Sequence, residues 1–149
     1  MSQRFLDFIP FILEWETEYN KDGSVKVERD PDDPGGTTKY GIDQRSHPNE
    51  DVENLTEQDA IDIYEIEWTQ AGCDHFPPKL GEVYFNCRVN AGSGRAQKCL
   101  TSSNGDPSKF LDAQEQFYKN LAANKPVMRK YLKGWLNRTQ ALRKYLQLS

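Results

Sequence analysis

The 149-residue chain lacks the features of a membrane protein and of a disulfide-rich secreted domain. No run of about 18 apolar residues occurs, so we expect no membrane-spanning segment and no stable membrane insertion. The first residues, MSQRFLDFIPFILEWE, are interrupted by Asp7, Pro10 and Glu14, and no small-residue cleavage site follows. This pattern predicts that the chain has no signal peptide and is synthesised in the cytoplasm.

Cysteine and histidine are scarce. Three cysteines, an odd number, predict reduced thiols and not a disulfide framework. The spacing of Cys73, Cys87 and Cys99 matches no common zinc motif. The two histidines, His47 and His75, form no convincing triad with a serine or cysteine nucleophile. We therefore expect core thiols, no metal and no organic cofactor.

Acidic residues are absent from the last 34 residues, which carry eight Lys or Arg. The net charge is therefore +8 in this segment and -12 in the first 115 residues. A basic terminal helix could pack against the acidic remainder of the chain, which is the commoner arrangement. Alternatively, the basic segment could attract an anionic polymer or an envelope surface.

The pattern of apolar residues predicts a mainly α domain of about five to seven helices. The first helix is expected to run from Ser2 to about Asn20. A short irregular or β excursion should follow it, because the dipeptide Asp22-Gly23 is a turn signal and apolar residues alternate with polar ones after it. The Asp-, Pro- and Gly-rich residues 30–36 predict an irregular loop.

A second helix is predicted to begin at Thr56, with Asp59 in a capping-box-like position, and to end at Gly72. Four further helices are predicted in residues 77–92, 92–100 and 106–124 and from Pro126 onward. The chain contains no repeat and no long linker, so we expect one domain spanning residues 1–149.

The stretch LEWETEYN carries three glutamates at alternate positions. At about 100° per residue with Phe5 at zero, the apolar residues of the first helix centre near 10°. Glu16 falls at about 20°, within that arc, whereas Glu14 and Glu18 fall near 180° and 220°. Glu14 and Glu18 are therefore expected in solvent and Glu16 on the apolar face. Glu16 could cap or pair with a cation at the rim of the core, or it could point into a cleft as a catalytic proton donor.

The loop after this helix offers a partner for such an acid. Residues 30–41, DPDDPGGTTKYG, combine aspartates, threonines and a tyrosine with paired glycines. A calcium loop is excluded because Pro34 and Gly41 occupy ligand positions. Cleavage of a glycosidic bond needs an acid on one side of the sugar and a second carboxylate, or a water held by one, on the other. An Asp/Thr loop after a helix-terminal Glu suits that requirement, although a plain turn is the commoner meaning of such a composition.

These segments together resemble a known family. The sequence ETEY at residues 16–19, followed by DPDDPGGTTKYGI, is similar to the pattern of glycoside hydrolase family 108, which is close to E-G-G-Y and then D-P-G-G-x-T-x-Y-G-I. The resemblance continues through residues 60–100, and YLKGWLNR matches a Gly-Trp-Leu-x-Arg sequence near the end of such proteins. The family contains phage and bacterial peptidoglycan hydrolases of the N-acetylmuramidase or secretion activator type.

The resemblance implies a lysozyme-like fold that cleaves the β-1,4 bond between N-acetylmuramic acid and N-acetylglucosamine. It implies a catalytic part in residues of about 1–75 and a helical, predicted peptidoglycan-binding part in residues of about 76–149. By position, Glu16 would be the general acid, and Asp33 with Thr38 would position a water or stabilise the oxocarbenium-like centre, with inversion preferred. The implied substrate-binding residues are Tyr19, Tyr40, Asn86 and Asn90.

Three departures from the family pattern keep other functions open. Thr17-Glu18 replaces a Gly-Gly pair, the eight residues KDGSVKVE lengthen the connection to the loop, and Asn86 stands where many members have Asp. One alternative is a non-catalytic cell-wall-binding or virion structural protein on the same scaffold. Another is an interaction protein that uses the basic terminus.

The expected partner is peptidoglycan, with no nucleic-acid partner and a monomeric chain. The expected place of action is the bacterial cell wall or periplasm, reached through a holin-type pore or as part of a virion.

Overall fold

The computed structural model describes residues 1–30 and 32–149, and the side chains of residues 33–35 are also outside the described set. Contacts divide the chain into two compact units, Met1–Gln70 and Ala71–Ser149. This boundary lies close to the division expected near residue 75. The expectation of one domain over the whole chain stays a prediction.

The described residues contain six α-helices and a three-stranded sheet, which confirms a mainly α fold with a β excursion after the first helix. The helices are α1 (Gln3–Glu16), α2 (Glu57–Gln70), α3 (Leu80–Ala91), α4 (Ser93–Ser103), α5 (Pro107–Asn124) and α6 (Arg129–Tyr145). The strands are β1 (Glu28–Asp30), β2 (Asp33–Lys39) and β3 (Ile42–Asp43). Among these helices, none combines the length and the apolar composition that crossing a bilayer requires.

In the first unit, helix α1 begins after Ser2, whose hydroxyl accepts a hydrogen bond from the Phe5 N–H at 3.1 Å. The apolar face of α1 is aromatic. The rings of Phe5 and Phe8 pack on Trp68 of α2, with centroids 5.8 and 6.2 Å apart. Trp68 is completely buried. Because large rings interlock between the two helices, the position of α1 relative to α2 is well defined.

Helix α1 ends at Glu16, four residues before the predicted end at Asn20. Thr17 has an extended backbone, and its N–H donates to the Leu13 carbonyl as the last helical hydrogen bond. The following residues pair with the returning chain and leave the helical path. The prediction of a longer helix was wrong because a local periodicity cannot show this pairing.

The predicted excursion is a short hairpin that leads into the sheet. Tyr19 and Val25 form an antiparallel bridge, and the Lys26 N–H donates to the Glu18 carbonyl at 2.8 Å. Gly23, with φ 88°, lies at the tip, where a positive φ suits glycine. The returning arm of this hairpin, Val25 and Lys26, therefore lies beside Glu18 and Tyr19, just after the end of α1.

The sheet is antiparallel in the order β1-β2-β3. Glu28 pairs with Thr38, and Lys39 pairs with Ile42. The irregular loop predicted for residues 30–36 was therefore wrong in part, since β2 already begins at Asp33. The register between β1 and β2 shifts within this part of the sheet, so the Pro-Gly-Gly segment falls in an irregularity of the ladder. Proline and glycine are tolerated in strands at such places.

Helix α2 begins with the predicted capping box. The Thr56 N–H donates to Asp59 Oδ2 at 2.9 Å, and the Asp59 N–H donates to Thr56 Oγ1 at 3.1 Å. The helix ends at Gln70, and Gly72 follows with φ 69°. Local sequence signals therefore predicted both ends of this helix correctly.

The second unit is helical, and α3 contributes much of its core, as predicted. The buried residues of α3 are Leu80, Gly81, Val83, Tyr84, Phe85, Asn86 and Cys87. The three cysteines of the chain are free and buried, which confirms the prediction of core thiols.

Two arginines of the basic segment are internal to this unit. Arg143 of α6 pairs with Asp112 at 2.7 Å and with Glu115, both on α5. Arg138 donates to Asn86 Oδ1 at 3.0 Å. These contacts agree with the interpretation that the basic helix packs against acidic groups. The exposed lysines of α6 are Lys130, Lys133 and Lys144.

Candidate active site

The three glutamates at the end of α1 differ in exposure as the helical wheel predicts. Glu14 and Glu18 are exposed, whereas Glu16 is half-buried. The aromatic face of α1 packs into the core, and Glu16 continues that face at the last residue of the helix. The backbone of Glu16 is therefore fixed by the helix, while its carboxylate lies next to the start of the hairpin.

The Glu16 side chain lies directly against the turn between β2 and β3. Tyr40 and Gly41 form this turn with φ 55° and 78°, the positive values that a two-residue type I′ turn requires. A Cβ atom added to Gly41 would lie 2.5 Å from Glu16 Oε2 and 2.7 Å from Glu16 Cβ. The close approach of the carboxylate therefore requires glycine at position 41.

Helix α2 supports the same turn from the other side. The Tyr64 hydroxyl donates to the Tyr40 carbonyl at 2.7 Å in the interior of the unit. The Tyr64 oxygen would also lie 2.8 Å from a Cβ at Gly41. The Glu16 carboxylate and the Tyr64 hydroxyl thus both lie where a side chain at position 41 would project.

A cleft of about 150 Å³ opens beside Glu16. The end of α1, the hairpin, β1 and the β2–β3 turn all contribute to its wall. The lining residues are Trp15, Glu16, Glu18, Lys26, Glu28, Thr38, Lys39, Tyr40 and Gly41. Three carboxylates and two lysines therefore face one small space, which is a suitable setting for acid–base chemistry.

Glu18, Lys26 and Glu28 form a charged group in the wall of the cleft. Lys26 Nζ lies 3.9 Å from both Glu18 Oε2 and Glu28 Oε1. The hydrogen bond with Glu18 raises the pKa of the Glu28 carboxyl, as do burial and the charge of Glu18, while Lys26 opposes this shift. The Lys26 ammonium thus lies beside two carboxyl groups that interact with each other.

The structure brings some of the predicted site residues together. Thr38 and Tyr40 line the cleft with Glu16. Tyr19 is 61% exposed on the first arm of the hairpin and is not part of the cleft lining. Asp33 begins β2, but its side chain is outside the described residues, so its role stays a prediction.

Asn86 and Asn90 belong to the second unit, on α3. The Asn86 side chain is fully buried and accepts a hydrogen bond from Arg138. Asn90 donates to the Tyr118 hydroxyl at 2.5 Å and is half-buried. Contact between Asn86 and a substrate would require Arg138 to move, whereas Asn90 is partly accessible.

Sequence reasoning missed several cleft residues. Lys26 and Glu28 are two positions apart in an extended segment, so strand alternation could have predicted that they share a face. The register that places Glu28 opposite Thr38 has no local signal, because it depends on pairing across the sheet. In the described part of the chain, no group of three or more His, Cys, Asp or Glu residues could hold a metal ion.

The chain is similar to known proteins both in fold and in sequence. The solved structure of Brucella abortus SagA has a TM-score of 0.69 and 21% sequence identity to the chain, over 96% of this chain and 93% of that one, which shows a shared fold. No curated protein matches the chain. The family model described as glycosyl hydrolase 108 matches residues 9–92, more than half of the chain and all of the cleft. The chain therefore belongs to glycosyl hydrolase family 108, as its sequence resemblance predicted.

Proposed function

We propose that the protein is an N-acetylmuramidase that hydrolyses the β-1,4 bond between N-acetylmuramic acid and N-acetylglucosamine in peptidoglycan, with Glu16 as general acid. The supporting observation is the contact of the Glu16 carboxylate with the Gly41 backbone, in a cleft built entirely from the segment that matches the family. A glycosidase of this kind needs one carboxylic acid beside the leaving oxygen of the scissile bond.

In the proposed reaction, Glu16 donates its proton to the glycosidic oxygen as the bond from C1 to that oxygen breaks. Packing against the Gly41 backbone leaves the carboxyl group few orientations, and such restriction assists catalysis because less freedom is lost on reaching the transition state. Asp33 with Thr38 would position the attacking water or stabilise the oxocarbenium-like centre. Inversion at C1 is the proposed outcome.

The sugar would be contacted by Tyr40, which lines the cleft, and by Tyr19, which is exposed on the hairpin arm. Asn86 and Asn90 are the proposed contacts in the second unit. We propose peptidoglycan as the partner, a monomeric enzyme, and action at the bacterial cell wall after release through a holin-type pore or as part of a virion.

The test is hydrolysis of purified peptidoglycan by wild type, Glu16→Gln and the matched control Glu14→Gln. Loss of a general acid lowers the rate by about 10²–10⁴-fold, so Glu16→Gln should be nearly inactive. Glu14 is exposed on the opposite side of the same helix, and its variant should keep the wild-type rate. Equal turbidity loss from wild type and Glu16→Gln would exclude the assigned role of Glu16.

Analysis of the products identifies the bond that is cut. After borohydride reduction, cleavage by an N-acetylmuramidase leaves N-acetylmuramitol at the new chain end, and N-acetylglucosaminitol would contradict the proposed specificity. A wild-type protein that pellets with the wall and releases no product would favour the rival function, a non-catalytic wall-binding or virion structural protein.

A further inference from the structure

A groove in the second unit differs in chemistry from the cleft beside Glu16 and shares no lining residue with it. The groove has a volume of about 510 Å³ and runs along one face of α5, with Arg95 contributed by α4. Its lining includes two cations, Arg95 and Lys125, and no acidic residue. We propose that this groove binds the peptide stem of peptidoglycan. The inference rests on the proposed function, which makes peptidoglycan the substrate.

Two parallel rows of side chains form the α5 side of the groove. Residues four apart lie on the same face of a helix and about 6 Å apart along its axis. One row is apolar and half-buried, and the other consists of exposed amides. The apolar row is Ala113, Phe117 and Leu121, and the amide row is Gln116, Asn120 and Asn124. Each row therefore spans about 12 Å, which is the length of three to four extended residues.

The Arg95 guanidinium is packed on an aromatic ring but has no carboxylate partner. Its central carbon lies 3.7 Å from the centroid of the Phe117 ring. A guanidinium over an aromatic face keeps its N–H edge for bidentate pairing with a carboxylate. Among the described residues, neither Arg95 nor Lys125 makes an ion pair, whereas Arg143 is paired inside the unit. The groove therefore offers two uncompensated positive charges to a ligand.

The amide row can pair with a peptide backbone. Gln116 Nε2 donates to Asn120 Oδ1 at 2.9 Å, which orients the two side chains relative to each other. This bond leaves Gln116 Oε1 as an acceptor and the Asn120 amide group with hydrogens to donate. One acceptor and one donor are what a peptide unit requires.

The peptide stem matches these groups better than the glycan strand does. A stem is a short chain with alanine methyl groups, amide bonds and free carboxylates. The methyl groups suit the apolar row, the amide bonds suit the amide row, and the carboxylates suit Arg95 and Lys125. The ring of N-acetylglucosamine carries no carboxylate, and the lactyl carboxylate of N-acetylmuramic acid is consumed in the amide bond to the stem. A glycan strand alone would therefore leave both cations unpaired.

The test is titration with a muropeptide of one sugar, N-acetylmuramyl-L-Ala-γ-D-Glu-meso-diaminopimelate, followed by calorimetry and by NMR of the side-chain amides. The probe has no bond between two sugars, so its binding is measured independently of hydrolysis. We expect the amide signals of Gln116, Asn120 and Asn124 to shift on titration. The same titration of Glu16→Gln should give the wild-type affinity.

Substitution of the two cations tests their role in binding. Arg95→Gln should weaken binding of the muropeptide by about 10- to 100-fold, because a charge-assisted hydrogen bond is lost. Lys125→Gln should weaken it by a smaller factor, because Lys125 is exposed. The matched control is Lys119→Gln, which removes an exposed lysine of α5 outside the groove and should bind as the wild type does.

Two further measurements separate recognition of the stem from charge alone. Arg95→Lys keeps the positive charge but lacks the planar guanidinium, so it should not restore the wild-type affinity. A neutral oligomer of N-acetylglucosamine should leave the amide signals of the groove unchanged. Urea denaturation should show all these variants folded, because Arg95 is half-buried and Lys125 is exposed.

The outcomes distinguish this inference from the proposed function. Arg95→Gln and Lys125→Gln variants that bind the muropeptide as tightly as Lys119→Gln overturn the inference, and so does an equal response of the groove to the glycan oligomer. A wild type that cuts peptidoglycan but does not bind the muropeptide overturns the inference and leaves the proposed function intact. A wild type that binds the muropeptide through Arg95 but cuts no glycan supports the groove and overturns the proposed hydrolysis.

Discussion

Replacing Gly41 by alanine should damage both stability and catalysis, because two independent costs meet at this position. The backbone has φ 78°, a conformation that L-residues with a side chain rarely adopt. The new Cβ would also lie 2.5 Å from Glu16 Oε2 and 2.8 Å from the Tyr64 hydroxyl. Neither group can move without disturbing the end of α1 or the hydrogen bond to the Tyr40 carbonyl.

The magnitude follows from these two costs. A positive φ costs a non-glycine residue about 1–2 kcal/mol, and overpacking a filled site costs about 1–3 kcal/mol. Gly41→Ala should therefore destabilise the protein by about 2–5 kcal/mol. Gly23 is a matched control, because its φ is 88° and a Cβ there would meet nothing within 4 Å. Gly23→Ala should show only the backbone cost.

Urea denaturation of the two variants measures the difference, and hydrolysis of purified peptidoglycan measures the effect on Glu16. We expect Gly41→Ala to be at least about 1 kcal/mol less stable than Gly23→Ala and to lose most of its activity at temperatures where it remains folded. If the two variants are equally stable and equally active, the Glu16 carboxylate does not pack against Gly41 and the geometry of the site is refuted.

Two further predictions concern protonation and thiol reactivity. Hydrogen bonds with the Thr56 backbone N–H and side chain hold the pKa of Asp59 below its ordinary value. The ionised form of Asp59 therefore stabilises the protein above about pH 4, and this contribution is lost as the pH falls. Asp59→Asn should remove this pH dependence of stability in urea denaturation, and an unchanged dependence would contradict the prediction. The three cysteines are buried, and the hydrogen bond with Cys99 together with burial raises the pKa of the Cys87 thiol. Iodoacetamide should therefore modify no cysteine in the native protein and all three in concentrated urea. Rapid labelling of the native protein would contradict their burial.

The position of Glu16 on the apolar face could be predicted because the evidence for it is local. A helix repeats its faces every few residues, so one wheel distinguishes Glu16 from Glu14 and Glu18. The capping box of α2 was predictable for the same reason, since Thr56 and Asp59 contact each other within a single turn. Neither inference needs knowledge of how distant segments pair.

The part of the cleft wall that the sheet contributes could not be predicted, because it depends on pairing between segments. The composition of residues 30–36 favours a loop, yet β2 begins at Asp33, which pairs with Asp30 of β1. The pairing of Glu28 with Thr38 depends on a register shift between β1 and β2. A change of one residue in register would turn a strand's side chains to the other face, so composition alone cannot assign Glu28 to the cleft.

Glu18, two residues after Glu16, is physically linked to the extension that follows it. Glu18 stands where the family pattern has glycine, and a free glutamate there would add unpaired negative charge beside Glu16, the proposed acid. The extension returns along the chain so that the Lys26 N–H donates to the Glu18 carbonyl at 2.8 Å and Lys26 Nζ lies 3.9 Å from its carboxylate. With Glu18 held in the wall, a cleft of about 150 Å³ remains beside Glu16. Strand β1, which follows the hairpin, carries Glu28, so the two departures from the family pattern meet in one place: Lys26 lies beside both Glu18 and Glu28, and the lengthened chain adds Glu28 to the lining of the cleft.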